Sequence, residues 1–405
     1  MATEIRYLHA GEMDQFGLLG AYVFAGSFGH GPDNYITQNN RVEWTLGAFV
    51  NGRLVSSHAA IPFTMRANGN AVAIGGVTAV GTLPEYRRQG HLRQLTQRAF
   101  CDLREQERGV AMLWASQAAI YQRYGYAQAT SSIAYRVDTV DIGFHDAVEG
   151  GCRVERMDGA AAFDVAKQVY LDFVRDGTCY LHRAKVLWSN GVLARSDEAG
   201  PAHVAVARDQ AGKPMGYVIY HLRGGRTGHR TRGQEIVIKD LAWLTVDAYR
   251  SLWSWLKRHD LVGSVHWPRA PRDDPAPELF IEPRLLNVQL GDGVWLRVVD
   301  VAVALGGRGY DVEDAITIDV APDALAPWNG GRFRLQCAPE GTRVSGTSAA
   351  ADLRLGIKAL ASLYCGARTP RELRGFGLLA ADDRALARAE RIFVTRQAPH
   401  CPDSF

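Results

Sequence analysis

A strand that runs through a short basic turn into a helix constrains this chain more than any other feature. The stretch is Ala73–Leu95, "AIGGVTAVGTLPEYRRQGHLRQL". Pro84 ends strand pairing, and Arg87 and Arg88 bring positive charge. Gly90 lets the backbone approach a ligand closely, and a helical pattern opens at His91. The first turn of a helix carries N–H groups with no partner inside the helix, and its dipole favours negative charge. Two or three such groups facing one anion suit a pyrophosphate. Neither GxGxxG nor GxxxxGK[ST] occurs, which argues against a Rossmann dinucleotide site and a P-loop.

A second feature follows the next apolar strand, "GVAMLWAS". In "QAAIYQRYGY", Ser116 is expected to cap a short helix, with Gln117 beside it, and Gly125 closes it. Tyr121 then lies one turn in, near the end of a ligand-bearing strand, where a phenol can donate a proton to a leaving group. Tyr124 and Tyr126 read as packing aromatics.

Around these features the chain has a regular grammar. "EMDQFGLLGAYVFAGSFG" is helical. Two apolar runs flank Asn51-Gly52, a strong hairpin signal. With the strand "QATSSIAYRVDTV" this makes an α/β unit of about 140 residues. A fainter echo of hairpin, strand, helix and strand spans "PAHVAVARDQAGKPMGYVIYHL" to "GSVHWPR". The echo has no arginine pair or glycine before its helix, so the anion site is expected in the first unit only. The basic loop "HLRGGRTGHRTRGQ" reads as solvated, and the proline-rich "PRAPRDDPAPEL" as a linker. After "GDGVWLRVVDVAVALGGRGY" the pattern changes to an α+β domain. The expected boundaries are 1–148, 149–291 and 292–405.

The 405 residues carry a net charge of +3, too little to mark a nucleic-acid or membrane binder. The six cysteines form no CxxC pair, and no HExxH or clustered ligands suggest a metal. The opening residues lack the apolar core of a signal peptide, and no apolar run is long enough to span a membrane. A cytoplasmic location with reduced thiols is expected.

The combination "VTAVGTLPEYRRQGHLR" with "YQRYGY" resembles the GNAT acetyltransferases, whose R-x-x-G-x-(G/A) turn holds the pyrophosphate of acetyl-CoA. Arg87, Arg88, Gln89 and Gly90 match that turn. Leu92 departs from it, as in the Eis (enhanced intracellular survival) branch of aminoglycoside and lysine N-acetyltransferases. "WLRVVDVAVALGGRGY", "LASLYCGA" and the terminal aromatic are similar to the same branch along the whole chain. The resemblance implies tandem GNAT domains, the second degenerate, followed by a sterol-carrier-protein-like domain. It implies an acetyl-CoA-dependent acetyltransferase of primary amines and a hexamer. Acetyl-CoA would lie along Val80, Gly81 and Thr82, and its pyrophosphate would meet Arg88, Gln89, Gly90, His91, Leu92 and Arg93. Ser116 and Gln117 would hold the pantetheine side. Tyr121 would be the general acid, and the C-terminal carboxylate of Phe405 the general base.

A base is needed because a lysine-type amine, with a pKa of about 10.4, cannot attack a thioester while protonated. His30, His58, His91 and Glu43 are alternative bases. His30 stands where aminoglycoside-acetylating members carry an acid. Near the terminus the acid is Asp403, and the penultimate residue is Ser404; Asp33 and Glu43 are candidates to compensate. The competing reading is a non-catalytic CoA- or lipid-binding protein built on the sterol-carrier-like domain.

Overall fold

The computed structural model describes residues 3–27, 29–145, 150–196, 199–225 and 232–405. It divides into two compact units. One comprises Met1–Ala129, Val294–Val394 and Phe405; the other comprises Thr130–Gly293 and Thr395–Ser404.

The first unit opens with β1 (Thr3–Tyr7), α1 (Met13–Val23) and α2 (Tyr35–Asn39), then β2 (Thr45–Val50), β3 (Arg53–Ala67) and β4 (Asn70–Thr82). Asn51-Gly52 joins β2 to β3 and Asn68-Gly69 joins β3 to β4. All four residues have positive φ, the backbone that two-residue hairpins of this twist require. Next come α3 (His91–Glu105), β5 (Val110–Trp114), α4 (Ala118–Gln122) and β6 (Ala127–Gln128). On α3, Leu95, Ala99, Phe100 and Leu103 recur at helical spacing and are all buried.

Two strands change sheets relative to the sequence expectation. β7 (Ser131–Asp138), expected to close the first sheet, pairs in the sheet of the second unit. Its place is taken by a strand from "GVWLRVV", Val294–Val298, antiparallel to β5. Both segments are short apolar runs, and such a run fits either sheet until distant partners are known. The first sheet has the order β1-β2-β3-β4-β5, then Val294–Val298, then β6. A five-stranded sheet and the helices Val301–Gly307, Ile357–Cys365 and Asp383–Phe393 complete this unit.

The second unit repeats the pattern with β8 (Arg153–Met157), β9 (His203–Arg208), β10 (Pro214–Arg223), β11 (Gln234–Trp243) and β12 (Val262–Ala270). The helix Val246–Lys257 connects parallel β11 and β12. The basic loop noted above lies partly at 226–231, outside the described residues. The proline-rich stretch is packed rather than a linker. Asp274 is buried and accepts the Tyr249 hydroxyl at 2.8 and 3.0 Å and the Ala276 N–H at 3.0 Å. The tail of this unit is held at several points. Arg183, fully buried, pairs its Nε with Asp403 at 2.7 Å and its Nη1 with Asp240. Arg269 donates to the Pro402 carbonyl at 3.0 Å and to Ser404 Oγ at 2.6 Å.

Candidate active site

The site begins where β4 and β5 part. Their parallel pairing runs from Ile74 with Val110 to Gly76 with Met112 and stops there, although both strands continue. Beyond the fork, β4 carries a bulge. The register with β3 slips between Ser57 and Ala59, and Ala79 adopts a left-handed φ of 48°. The Ser57 hydroxyl caps the Ala79 carbonyl and the Ser56 hydroxyl caps that of Gly81, both at 2.8 Å. The edge of Val80, Gly81 and Thr82 is thereby fixed facing the gap.

The turn into α3 places Arg88 at φ 63° and Gly90 at φ 88°, two left-handed residues flanking Gln89. Such alternation curls consecutive N–H groups around a concavity that suits anions. Gly90 is the N-cap, and no side chain caps α3. Among the described residues, the N–H groups of His91, Leu92 and Arg93 have no protein acceptor.

Gap and turn form one cavity of about 690 Å³. Of the residues expected around the ligand, Val80, Gly81, Thr82, Arg88, Gly90, His91, Leu92, Arg93, Ser116, Gln117 and Tyr121 all line it. Gln89 does not; its side chain turns back to donate to the Glu85 carbonyl at 3.0 Å. Arg87, Arg123 and Tyr124 line the cavity too. Arg123 lies inside "YQRYGY", where no motif marks it as a ligand residue. The cavity fits a polyanionic ligand such as CoA: four guanidiniums line it, and its floor is a helix start without a cap.

Ser116 is not the helix cap expected of it. Gln117 holds that position, and Ser116 stands one residue earlier, near the Tyr121 phenol. Tyr121 is 8% exposed, its ring 5.8 Å from and edge-on to that of Tyr126. Burial pushes its phenol above the usual tyrosine pKa, and the Ser116 contact opposes this. It therefore holds its proton at neutral pH. Behind α4, the fully buried Arg297 donates from Nε to the Tyr124 carbonyl at 2.8 Å and pairs with Asp323. A Cβ on Gly125 would lie 2.8 Å from that Nε, so this turn needs glycine for space as well as for its φ of 83°.

Phe405 belongs to the first unit but does not line the cavity. Its ring stands edge-on to Phe63 with centroids 5.1 Å apart, and lies against Gly76 at the fork. Of the alternative bases, only His91 lines this cavity. His58 and Glu43 line a separate cavity of about 290 Å³ with Tyr7, Asp102 and Arg108. Burial lowers the His58 pKa to about 4, which leaves it neutral. His91 is a cavity residue at the anion turn. His30 is exposed, its ring against Gly26, and Asp33 is exposed and accepts from Gln38 at 3.2 Å. Asp403 is not a free pocket acid; it is committed to Arg183.

Comparison with known proteins agrees with this layout. Residues 4–129 and 179–298 match models of an acetyltransferase (GNAT) domain, and residues 301–402 match a sterol carrier protein domain. An uncharacterized N-acetyltransferase from Streptomyces griseus is 30% identical, with 89% of each chain covered. N-acetyltransferase Eis from Mycobacterium tuberculosis is 29% identical over 77% of this chain and 76% of its own. The crystal structure of Eis1 from Mycobacterium abscessus superposes with a TM-score of 0.84 at 28% identity, covering 99% and 100% of the two chains. That of a GCN5-related N-acetyltransferase from Anabaena variabilis gives 0.88 at 26% identity, with both chains covered completely.

Proposed function

As a member of the Eis-type GNAT N-acetyltransferases, with two GNAT domains followed by a sterol-carrier-like domain, this chain is an acetyltransferase, and we propose that it acetylates primary amines of the aminoglycoside, lysine or polyamine type in the first-unit cavity. The observation that carries this reading is the convergence of all but one of the expected ligand residues on a single cavity.

Acetyl-CoA supplies the activated thioester. The chain's own groups divide the remaining work. Arg87, Arg88, Arg93 and Arg123, with the free N–H groups of α3, hold the phosphates by charge-assisted hydrogen bonds. The edge from Val80 to Thr82 offers backbone groups to an extended ligand lying in the gap. The Phe405 carboxylate takes one proton from the substrate ammonium, so that the amine nitrogen has a lone pair. That nitrogen forms the C–N bond at the acetyl carbonyl, and the C–S bond breaks. Tyr121 gives its phenolic proton to the sulfur as the C–S bond breaks; burial makes the phenol a weaker acid than the thiol, whose pKa is near 8.5, so the transfer runs uphill and is completed when the phenolate takes up the second proton, the one the new amide nitrogen releases.

Adding one glycine after Phe405 tests the terminal base. It displaces the carboxylate by one residue and leaves the cavity intact. Thiol release from acetyl-CoA in the presence of an amine should fall at least 100-fold, a loss typical of removing a general base, while acetyl-CoA affinity stays the same. Full activity of the extended chain would exclude the terminal carboxylate.

A further inference from the structure

The structure assigns to Phe63 and Gly76 a seat for an aromatic ring at the fork of β4 and β5, and we propose that this seat, by recognising the side chain of Phe405, positions the terminal carboxylate. The inference rests on the reading of Phe405 as the base.

Three observations carry it, all within the first unit. The Phe405 and Phe63 rings meet edge to face, at 5.1 Å between centroids and 67° between planes, a preferred geometry for aromatic pairs. Gly76 leaves the space in which they meet. A Cβ there would lie 2.4 Å from two Phe63 ring atoms and 3.3 Å from Phe405 Cδ2. Gly76 has no positive φ to explain it. The absent side chain serves the close approach of the two rings. Finally, the seat is built on fixed backbone. Phe63 pairs with Ile74 across β3 and β4, and Arg108 Nη1 donates to both of their carbonyls, at 3.3 and 2.9 Å. Phe63 is itself buried, so its ring cannot follow a displaced partner.

The location gives the seat its consequence. Gly76 is the last residue of β4 paired with β5, and the strand's first cavity-lining residue, Val80, follows on the same strand. A ring held at that point sets where the carboxylate on the same residue can stand. Phe63 is thus a positioning residue, acting through Phe405.

If the seat recognises the ring itself, it should accept one not attached to the chain. The test uses the full protein lacking only Phe405, assayed by thiol release. Loss of the residue should lower turnover at least 100-fold without changing acetyl-CoA affinity. Millimolar N-acetyl-L-phenylalanine should then restore turnover at least tenfold, with saturation. N-acetyl-L-alanine, which has the carboxylate and no ring, and N-acetyl-L-phenylalaninamide, which has the ring and no carboxylate, should not. Phe63→Leu in the shortened protein should abolish rescue, and Phe63→Tyr, which keeps the ring edge, should retain it. Melting temperature and acetyl-CoA titration check the folding of each variant; should Phe63→Leu misfold, the three additives on the shortened protein decide alone. Equal rescue by the alanine derivative, or no rescue by any additive, overturns the seat. Failure of the base reading is distinguished by the glycine-extended chain: full activity there sinks that reading, whereas an inactive extended chain with no rescue sinks the seat only.

Discussion

Tyr121→Phe separates chemistry from packing more cleanly than any other single change in the cavity. The ring stays, with its edge-on contact to Tyr126 and its place in the cluster with Phe100, Leu113 and Trp295. Only the phenol oxygen, with the polar contact near Ser116, is lost. Even a full hydrogen bond there would contribute only about 1 kcal/mol to stability, against a total of roughly 5–15 kcal/mol for a domain. The folded fraction therefore remains near complete, and the fall in melting temperature should be a few degrees at most. Loss of a general acid is larger, on the order of 10²–10⁴-fold in rate, or about 3–5 kcal/mol of barrier. Turnover should fall by that factor while the acetyl-CoA dissociation constant changes less than about twofold, because the phenol serves the leaving group rather than the phosphates. The pH profile gives an independent reading. Burial raises the folded pKa of this phenol above 10, so the acid form persists through neutrality and its loss of activity belongs on the far alkaline side. Tyr126→Phe is the control. The Tyr126 hydroxyl is buried and, among the described residues, has no hydrogen-bond partner, so its removal should be neutral or stabilising by about 1 kcal/mol and leave turnover unchanged. A drop below tenfold for Tyr121→Phe, or a larger one for Tyr126→Phe, refutes the assignment of the acid.

Further expectations concern the anion turn and one buried histidine. Arg88→Glu reverses a charge at the turn and should weaken acetyl-CoA binding at least tenfold in calorimetric titration, while wild type titrates to one site per chain. Gly90→Ala adds a Cβ that meets only Gln94 Nε2, at 3.9 Å, but must adopt φ 88°; the backbone strain should cost about 1–2 kcal/mol in denaturant unfolding. His58, with its pKa lowered from 6.5 to about 4 by burial, stabilises the fold fully above pH 6.5, and this contribution is lost as pH falls toward 4. Up to about 3 kcal/mol is at stake; His58→Gln should flatten the stability profile over that window, and an unchanged profile would mean that the imidazole titrates normally.

What was legible in the sequence was local. The turn from Leu83 to Arg93 could be read because each part acts over a few residues: a proline ends pairing, a glycine opens the backbone, and a helix start exposes its N–H groups. Tyr121, placed one turn into its short helix, was legible for the same reason in its position at the cavity. Features that depend on partners far along the chain were not. Nothing in "VWLRV" says that Val294–Val298 pairs with Val110–Trp114 rather than with a neighbour in sequence. Asp403 looked like a pocket acid until Arg183, distant in sequence, was found to hold it. Gly76 could not be told from any other strand glycine until Phe63 and Phe405 were placed around it. Ser116 shows the limit even of local reading: serine favours helix caps, yet Gln117 holds the cap position.

The two strand–helix–strand repeats share a backbone plan and differ in the features an anion would need. In both, a helix joins two parallel strands, and its N-terminus offers unpaired N–H groups. In the first unit these groups stay free, because Gly90 has no side chain to cap them. In the second, Thr245 is the cap, and its hydroxyl accepts the Ala248 N–H at 3.2 Å. The surroundings differ in sign as well. The first cavity is lined by Arg87, Arg88, Arg93 and Arg123, whereas a cavity of about 440 Å³ at the second helix start is lined by Asp172, Asp176 and Asp273. A diphosphate entering there would meet a capped helix and three carboxylates, losing the hydrogen bonds and facing like charge. The positive end of a helix dipole is common to both units and is worth no more than about 1 kcal/mol at an exposed site. It does not by itself separate the two turns; the glycine N-cap and the arginines around it do.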